Sequence, residues 1–399
     1  MQTIDSPATP ETLGPTAPAL LPDPPASAAA LSAPRFYDLV VVRRVPEGED
    51  GVALSLRVPD DLVQRFAFQP GQYVCVRSRI HGVEQRRTYS VCSTPRHLAQ
   101  RKELVLGIRA LPGGIFSTWA TRSLRVGDVL QCTSPAGQFV STRPRARHRV
   151  GIVAGAGITP VLSILASTLQ EQAQSRFTLV YGNRTVDSIM FHDALQDLKD
   201  LYPHRLTLLH ILSRQSQEVA LLQGRIDAAK VHALMLGLLP LASLDEVFVC
   251  GPPAMMAATR QALTTAGLPA HKLHCERFGS QDDAPSGAYA HDERVAERAG
   301  SGAPAAGNTC TLTLLLDGKT HVLQVSPEQR LLDAALAAGL DLPYACRAGV
   351  CCACRAKVLN GAASMDRNYG LEPQEIAQGF VLACQARCHG DVSISYDER

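Results

Sequence analysis

Hydrophobic and polar positions change rhythm twice along this chain, marking off three globular stretches. Between residues 35 and 148, short β-rich runs (Tyr37 to Arg44, Val52 to Val58, Tyr73 to Ser78, Leu104 to Ala110, Val129 to Cys132) are separated by turns such as Gln69-Pro70-Gly71 and Val126-Gly127-Asp128. Many short strands punctuated by Gly and Pro predict a small antiparallel barrel or sandwich. From 149 to 278 apolar strands alternate with helical patterns: Arg149 to Ala154 before a helix from Pro160, and Phe177 to Tyr181 before a helix near Phe191 to Lys199. Leu206 to Leu212 and Glu246 to Cys250 continue the series, the latter followed by a helix from Ala254. That alternation predicts an α/β unit whose parallel sheet is covered by helices. From 308 to 399, a strand at Thr311 to Leu316, a turn at Asp317-Gly318, a strand at Thr320 to Val325 and a helix at Leu331 to Ala338 lead into a cysteine loop, predicting a compact α+β domain.

Two stretches lie outside this patterning. Residues 1 to 34, rich in Pro, Ala, Ser and Thr, have little to bury and predict a disordered tail. Residues 279 to 307 repeat that composition with more charge and glycine, as an interdomain linker would. A chain of 399 residues, 46% of them hydrophobic, suits such a multidomain layout. Its net charge of +2 offers no strong field for nucleic acid or an anionic membrane, so neither is expected as a partner. The longest uncharged apolar stretch, Val231 to Leu244, is broken by Pro240 and too short to span a bilayer. The first residues lack the basic and apolar regions of a targeting signal, and a soluble, cytoplasmic protein is expected.

Cysteine usage sharpens the picture. Six of the twelve cysteines crowd into the last 54 residues, which reads as a metal site in a reducing cytosol. Cys346, Cys351 and Cys354 are spaced C-x4-C-x2-C, and Cys384 follows after 29 further residues. Four soft, anionic thiolates suit two ferric irons bridged by sulfide, and Gly349 would let backbone amides approach the sulfurs. The plain alternatives are a zinc site or buried free thiols, although zinc motifs favour paired C-x2-C knuckles and only one such pair exists. Cys352 reads as a packing residue; Cys388 could replace Cys384 as fourth ligand, though the 29-residue gap favours Cys384.

Three glycine- or arginine-bearing segments carry further chemistry. Arg87-Thr88-Tyr89-Ser90 fits R-x-Y-S, in which arginine can pair with a pyrophosphate and tyrosine can lie against a flavin ring. Gly113-Gly114, followed by Ser117-Thr118, fits a glycine turn into a helix capped by Ser117 that offers amides to phosphate. Gly155-Ala156-Gly157-Ile158-Thr159-Pro160 ends a strand in a glycine turn and starts a helix at Pro160, so that amides face an anion. The ordinary readings are a core aromatic for Tyr89 and a simple cap for Ser117; the order and spacing of the segments favour the functional one. After the second and third strands of the α/β unit stand Arg184 and Ser213-Arg214, basic groups that suit a 2'-phosphate better than a 2'-hydroxyl, unless both arginines are merely solvated.

The string CRAGVCCACRAKVLNG, with Met365-Asp366 and GFVLACQ around Cys384, resembles the plant-type ferredoxins, which have a β-grasp fold. More narrowly it resembles the ferredoxin domains of oxygenase reductases, above all the reductase components of the bacterial phenylacetyl-CoA epoxidases. The G-x-G-x-x-P turn, which departs from the Rossmann G-x-G-x-x-G, together with Cys250-Gly251-Pro252 and Glu276-Arg277-Phe278, resembles the ferredoxin-NADP reductase superfamily. That resemblance implies FAD on the barrel and NADPH on the α/β domain. It also implies Ser90 near the flavin N5, Cys250 near the nicotinamide C4, Phe278 near the flavin ring, Glu276 as the third catalytic group, and Ser213-Arg214 as the NADP-binding pair. In the superfamily the acidic-x-aromatic pair ends the chain, whereas here a linker and a ferredoxin domain follow. The implied activity carries electrons from NADPH through FAD and a 2Fe-2S cluster to the di-iron oxygenase of a multicomponent complex; the alternatives are a reductase for a steroid, phenol or alkane hydroxylase that would share every motif, and an iron-sulfur redox sensor that binds nucleotide without turnover.

Overall fold

The computed structural model describes residues 35–278 and 309–398; the expected tail and linker lie outside the described residues. The first stretch folds as β1 (Tyr37–Glu47), β2 (Gly51–Arg57), β3 (Tyr73–Ile80), β4 (Val83–Ser90), α1 (Pro95–Arg101), β5 (Glu103–Arg109), α2 (Ile115–Arg122) and β6 (Val129–Cys132). The strands form one antiparallel sheet in the order β4-β3-β6-β1-β2-β5. A bridge between Val91 and Leu106 brings its two ends together, closing it toward a barrel. Side-chain alternation sends Leu39, Val41, Leu54, Leu56, Val74 and Val76 into one core, to which α2 adds Phe116 and Ala120. Strand β4 escaped the sequence pattern because its middle reads Glu84-Gln85-Arg86-Arg87-Thr88, polar on both faces.

The second stretch runs β7 (His148–Ala154), α3 (Ile158–Glu171), β8 (Arg176–Asn183), α4 (His192–Leu201), β9 (Leu206–Leu212), α5 (Ala228–Gly237), β10 (Glu246–Cys250), α6 (Pro253–Thr265) and β11 (Leu273–Glu276). All strand pairs are parallel, in the order β11-β10-β7-β8-β9, and an apolar cluster covers each face. Helix α3 is buried from Ile158 to Leu169 because it lies between this sheet and the barrel. Ser163 Oγ donates to the Ser93 carbonyl at 2.7 Å, and Ala53, Cys92 and Phe139 of the barrel share its core. At the foot of the sheet Arg149 and Glu246, both fully buried, pair at 2.9 Å.

The third stretch comprises β12 (Cys310–Leu316), β13 (Lys319–Val325), α7 (Leu331–Ala337), β14 (Arg355–Asn360), β15 (Ala363–Met365), α8 (Pro373–Ala377), β16 (Phe380–Leu382), β17 (Ala386–Cys388) and β18 (Val392–Ser395). Its five-stranded sheet, ordered β13-β12-β18-β14-β16, is mixed, with β12 and β18 parallel. Leu331, Leu332 and Ala335 of α7 seal one face of it, the arrangement of a β-grasp. Among the described residues no helix is long and apolar enough to cross a membrane.

Candidate functional site

The loop between α7 and β14 winds back on itself through three left-handed residues, Arg347, Gly349 and Cys352, with φ of 53°, 76° and 54°. At Gly349 a Cβ would stand 2.9 Å from the Arg367 carbonyl oxygen, so the close turn requires glycine. The winding aims amides at sulfur: Ala348 and Cys351 N–H both lie 3.4 Å from Cys346 Sγ, and Cys346 N–H 3.5 Å from Cys351 Sγ. Gln385 Nε2 approaches Cys384 Sγ at 3.8 Å. The thiols meet in two pairs, Cys346 with Cys351 and Cys354 with Cys384. Hydrogen bonding from Cys351 and from these amides holds the Cys346 thiol down, to about 6, and Cys354 likewise lowers Cys384. Among the described residues no three His, Cys, Asp or Glu groups converge as for a single ion. Two pairs of thiols suit two irons with two thiolates each, so the donor set fits a 2Fe-2S cluster rather than zinc. Cys352 turns its thiol toward the Val350 carbonyl at 3.9 Å, and Cys388 lies beside Cys310, both apart from the four.

In the α/β domain β7 ends at the turn Gly155–Gly157. A Cβ on Gly157 would fall 2.2 Å from the Cys250 carbonyl oxygen, so only glycine lets the turn pass under the end of β10. Gly157 itself caps α3, which begins at Ile158, two residues earlier than Pro160 was expected to start it. Thr159 Oγ donates to the Ala156 carbonyl at 3.0 Å, stiffening the turn, while Pro160 is buried. Arg184 and Arg214 stand exposed side by side, since Arg214 N–H donates to the Arg184 carbonyl at 2.8 Å; Ser213 Oγ bonds the Asn183 carbonyl at 3.2 Å. Gly251 packs against Ala154 N and Met255, and Pro252 caps α6.

The three expected catalytic residues are brought together from three elements. Cys250 is opposite Glu276 in the β10–β11 register, and the Glu276 carboxyl faces Ser90 at the end of β4. Burial pushes the Glu276 carboxyl up to about 8, against the pull of Ser90, and burial likewise raises the Cys250 thiol. Glu276 Oε2 is shut off from solvent without a protein partner. Phe278 is not drawn in: it is 40% exposed at the end of the described segment.

On the barrel Tyr89 leans on Phe116 with ring centroids 5.5 Å apart, and Arg87 Nη1 donates to the Arg86 carbonyl at 2.7 Å. Thr88, half-buried, stands between them on β4. Gly113 has a φ of 73° with open space around it, and Gly114, not Ser117, caps α2. Ser117 lies one turn in, where its Oγ accepts the Leu111 amide at 3.1 Å; Thr118 N–H bonds the Gly114 carbonyl. Ser117 therefore shapes the glycine turn rather than capping the helix. One residue went unnoticed in the sequence. Arg109 closes β5, pairs through Nε with Asp50 at 2.7 Å, and sets Nη1 3.2 Å from a Cβ placed on Gly155. Its Nη2 is buried with no protein acceptor, and such a donor beside a phosphate-type turn fits a dinucleotide. An arginine ending an apolar strand just before Gly113-Gly114 was the available signal.

Comparison with known proteins accords with this layout. Family models match in the order seen: an oxidoreductase FAD-binding domain over residues 38–140, an oxidoreductase NAD-binding domain over 152–261, and a 2Fe-2S iron-sulfur cluster binding domain over 314–389. The chain is 38% identical over 372 residues to a component polypeptide of the 1,2-phenylacetyl-CoA epoxidase of Escherichia coli, covering 91% of this chain and 98% of the relative. It is 35% identical to the ferredoxin reductase component of 3-ketosteroid-9-alpha-monooxygenase of Mycobacterium tuberculosis, over 90% of this chain and 96% of the relative. Among solved structures, phthalate dioxygenase reductase matches with a TM-score of 0.54 at 20% identity, over 90% of this chain and 98% of that one, showing a shared fold.

Proposed function

The chain belongs to the flavin- and 2Fe-2S-dependent reductases of multicomponent oxygenases, and on that premise we propose that it draws electrons from NADPH and delivers them to the di-iron oxygenase of a phenylacetyl-CoA epoxidase. It is an oxidoreductase that passes electrons from a nicotinamide nucleotide through FAD to a 2Fe-2S cluster. FAD held on the barrel would supply the chemistry that converts a two-electron hydride donor into single electrons for a one-electron cluster.

The observation that carries the reading is the span of β4. Ser90 at one end touches Glu276 of the nucleotide domain, while Arg86, four residues earlier, touches Asp341 and Leu342 beside the cysteine loop. One strand of the flavin domain thus lies between the donor and acceptor modules. The remaining residues have positional tasks. The Gly155–Gly157 turn and Arg109 would hold the dinucleotide phosphates; Arg87 and the Gly113-Gly114 turn would hold those of FAD. Cys250 and Ser90 would border the hydride path, with Glu276 holding a proton beside it. The preference for NADPH rests on the paired, exposed Arg184 and Arg214 and on Ser213, which would meet a 2'-phosphate. A cytoplasmic location is part of the proposal, because thiolate ligands call for a reducing compartment.

The test is coupled turnover with purified oxygenases. With the phenylacetyl-CoA epoxidase oxygenase component, NADPH should support epoxidation faster than NADH. Turnover confined to a 3-ketosteroid oxygenase, or a preference for NADH, would overturn the assignment.

A further inference from the structure

Arg86 is assigned to neither cofactor in the path just proposed, yet it is one of the least exposed charged side chains of the barrel, at 6%. Its Nε donates to Glu84 at 2.7 Å on its own strand. Its other contacts cross to the ferredoxin module: Nη2 to Asp341 Oδ1 at 3.0 Å, Nη1 to the Leu342 carbonyl at 3.3 Å, and the guanidinium face over the Tyr344 ring at 4.4 Å. Arg347 of the module lies 4.7 Å from that same ring. All these partners lie in the segment that leads into Cys346 or just beyond it. Beyond the loop's turn, Tyr73 Oη of β3 donates to the Cys351 carbonyl. Farther out, Arg277 stands over the Tyr369 ring at 4.2 Å.

We propose that Arg86 is a positioning residue that clamps the ferredoxin module onto the barrel in the electron-receiving pose, with Asp341 and Tyr344 as its counterpart. The clamp presupposes the proposed electron path. A planar guanidinium suits the task because it can bond two carboxylates, a carbonyl and an aromatic face together, which a lysine cannot. The clamp is also releasable. Asp341 is 60% exposed, so water and ions compete for it, and exposed pairs hold weakly. Since electron transfer weakens steeply with distance, loosening the clamp slows the flavin-to-cluster step and leaves the nicotinamide-to-flavin step alone.

The experiment uses the full chain with both cofactors, in rapid mixing with NADPH, for wild type, Asp341→Arg, Arg86→Gln and the double charge swap Asp341→Arg/Arg86→Glu. Asp341 is 60% exposed and is not itself among the residues assigned to flavin or nucleotide. Both single variants should bleach flavin at the wild-type rate, and Asp341→Arg should reduce the cluster about tenfold more slowly, or ~1.4 kcal/mol. Small-angle scattering should show a larger radius of gyration for that variant, and the charge swap should restore both compactness and rate. A cluster step that keeps pace in Asp341→Arg, or a slow step with unchanged radius and no recovery in the swap, would overturn the clamp. A wild-type chain whose cluster is never reduced would instead sink the electron path beneath it.

Discussion

Glu276 is a carboxyl that burial pushes up to about 8, so at neutral pH it carries a proton beside Ser90 and Cys250. Because its value in the fold is raised, the neutral form holds below about 8 and is lost as pH rises through it. Flavin reduction by NADPH should therefore fall with an inflection near pH 8 in the wild type, and the Glu276→Gln variant should show a flat profile; an inflection unmoved in the variant would place that proton elsewhere. The cysteines make a second prediction. Cys384→Ser should abolish the visible and paramagnetic signature of the cluster, while Cys352→Ser and Cys388→Ser should leave it intact. The C-x4-C-x2-C loop was legible in sequence because it is local chemistry with fixed spacing, whereas the choice of Cys384 over Cys388 rested only on the length of the following gap. Arg86 was not, since its meaning depends on Asp341, which only the fold brings near, and Arg109 left only the faint signal of its place before Gly113-Gly114 until the fold set it beside Gly155.

Among elements, the buried Arg149–Glu246 pair joins the feet of β7 and β10. Burial opposes the charge on Glu246, but the His274 ring 3.3 Å away and hydrogen bonds from Ser141, Thr142 and Arg149 outweigh it and hold the carboxyl down to about 2. Removing one partner strands a buried charge, so Arg149→Met should lower unfolding stability by about 3–5 kcal/mol in denaturant titration. The Glu246 contribution is full above its ordinary value of 4.5 and is lost as pH falls toward about 2, so wild type and variant should converge in acid. Strands β9 and β10 could be read to the residue, because flanking turns bound their apolar runs. Strand β4, a polar edge strand, and the four-residue β11 could not, and both carry site residues. The starts of α2 and α3 were displaced for a related reason. Gly114 and Gly157 cap them where the chain must bend closely, while Ser117 and Pro160, the usual cap signals, sit inside the helices.

At the scale of the molecule, the barrel shares a core with the α/β domain and meets the ferredoxin module through polar and aromatic contacts, while Arg277 of the α/β domain also reaches that module at Tyr369. That asymmetry suits a fixed donor and a separable acceptor. The order of the modules was legible from composition and rhythm; their mutual docking was not, because no local pattern records which faces meet. The most direct test of electron flow through all three is an anaerobic titration of the full chain with NADPH, followed by absorbance and electron paramagnetic resonance. Flavin bleaching together with the signal of a reduced 2Fe-2S cluster is the expected result. Flavin bleaching with no cluster signal, or no bleaching at all, would contradict it.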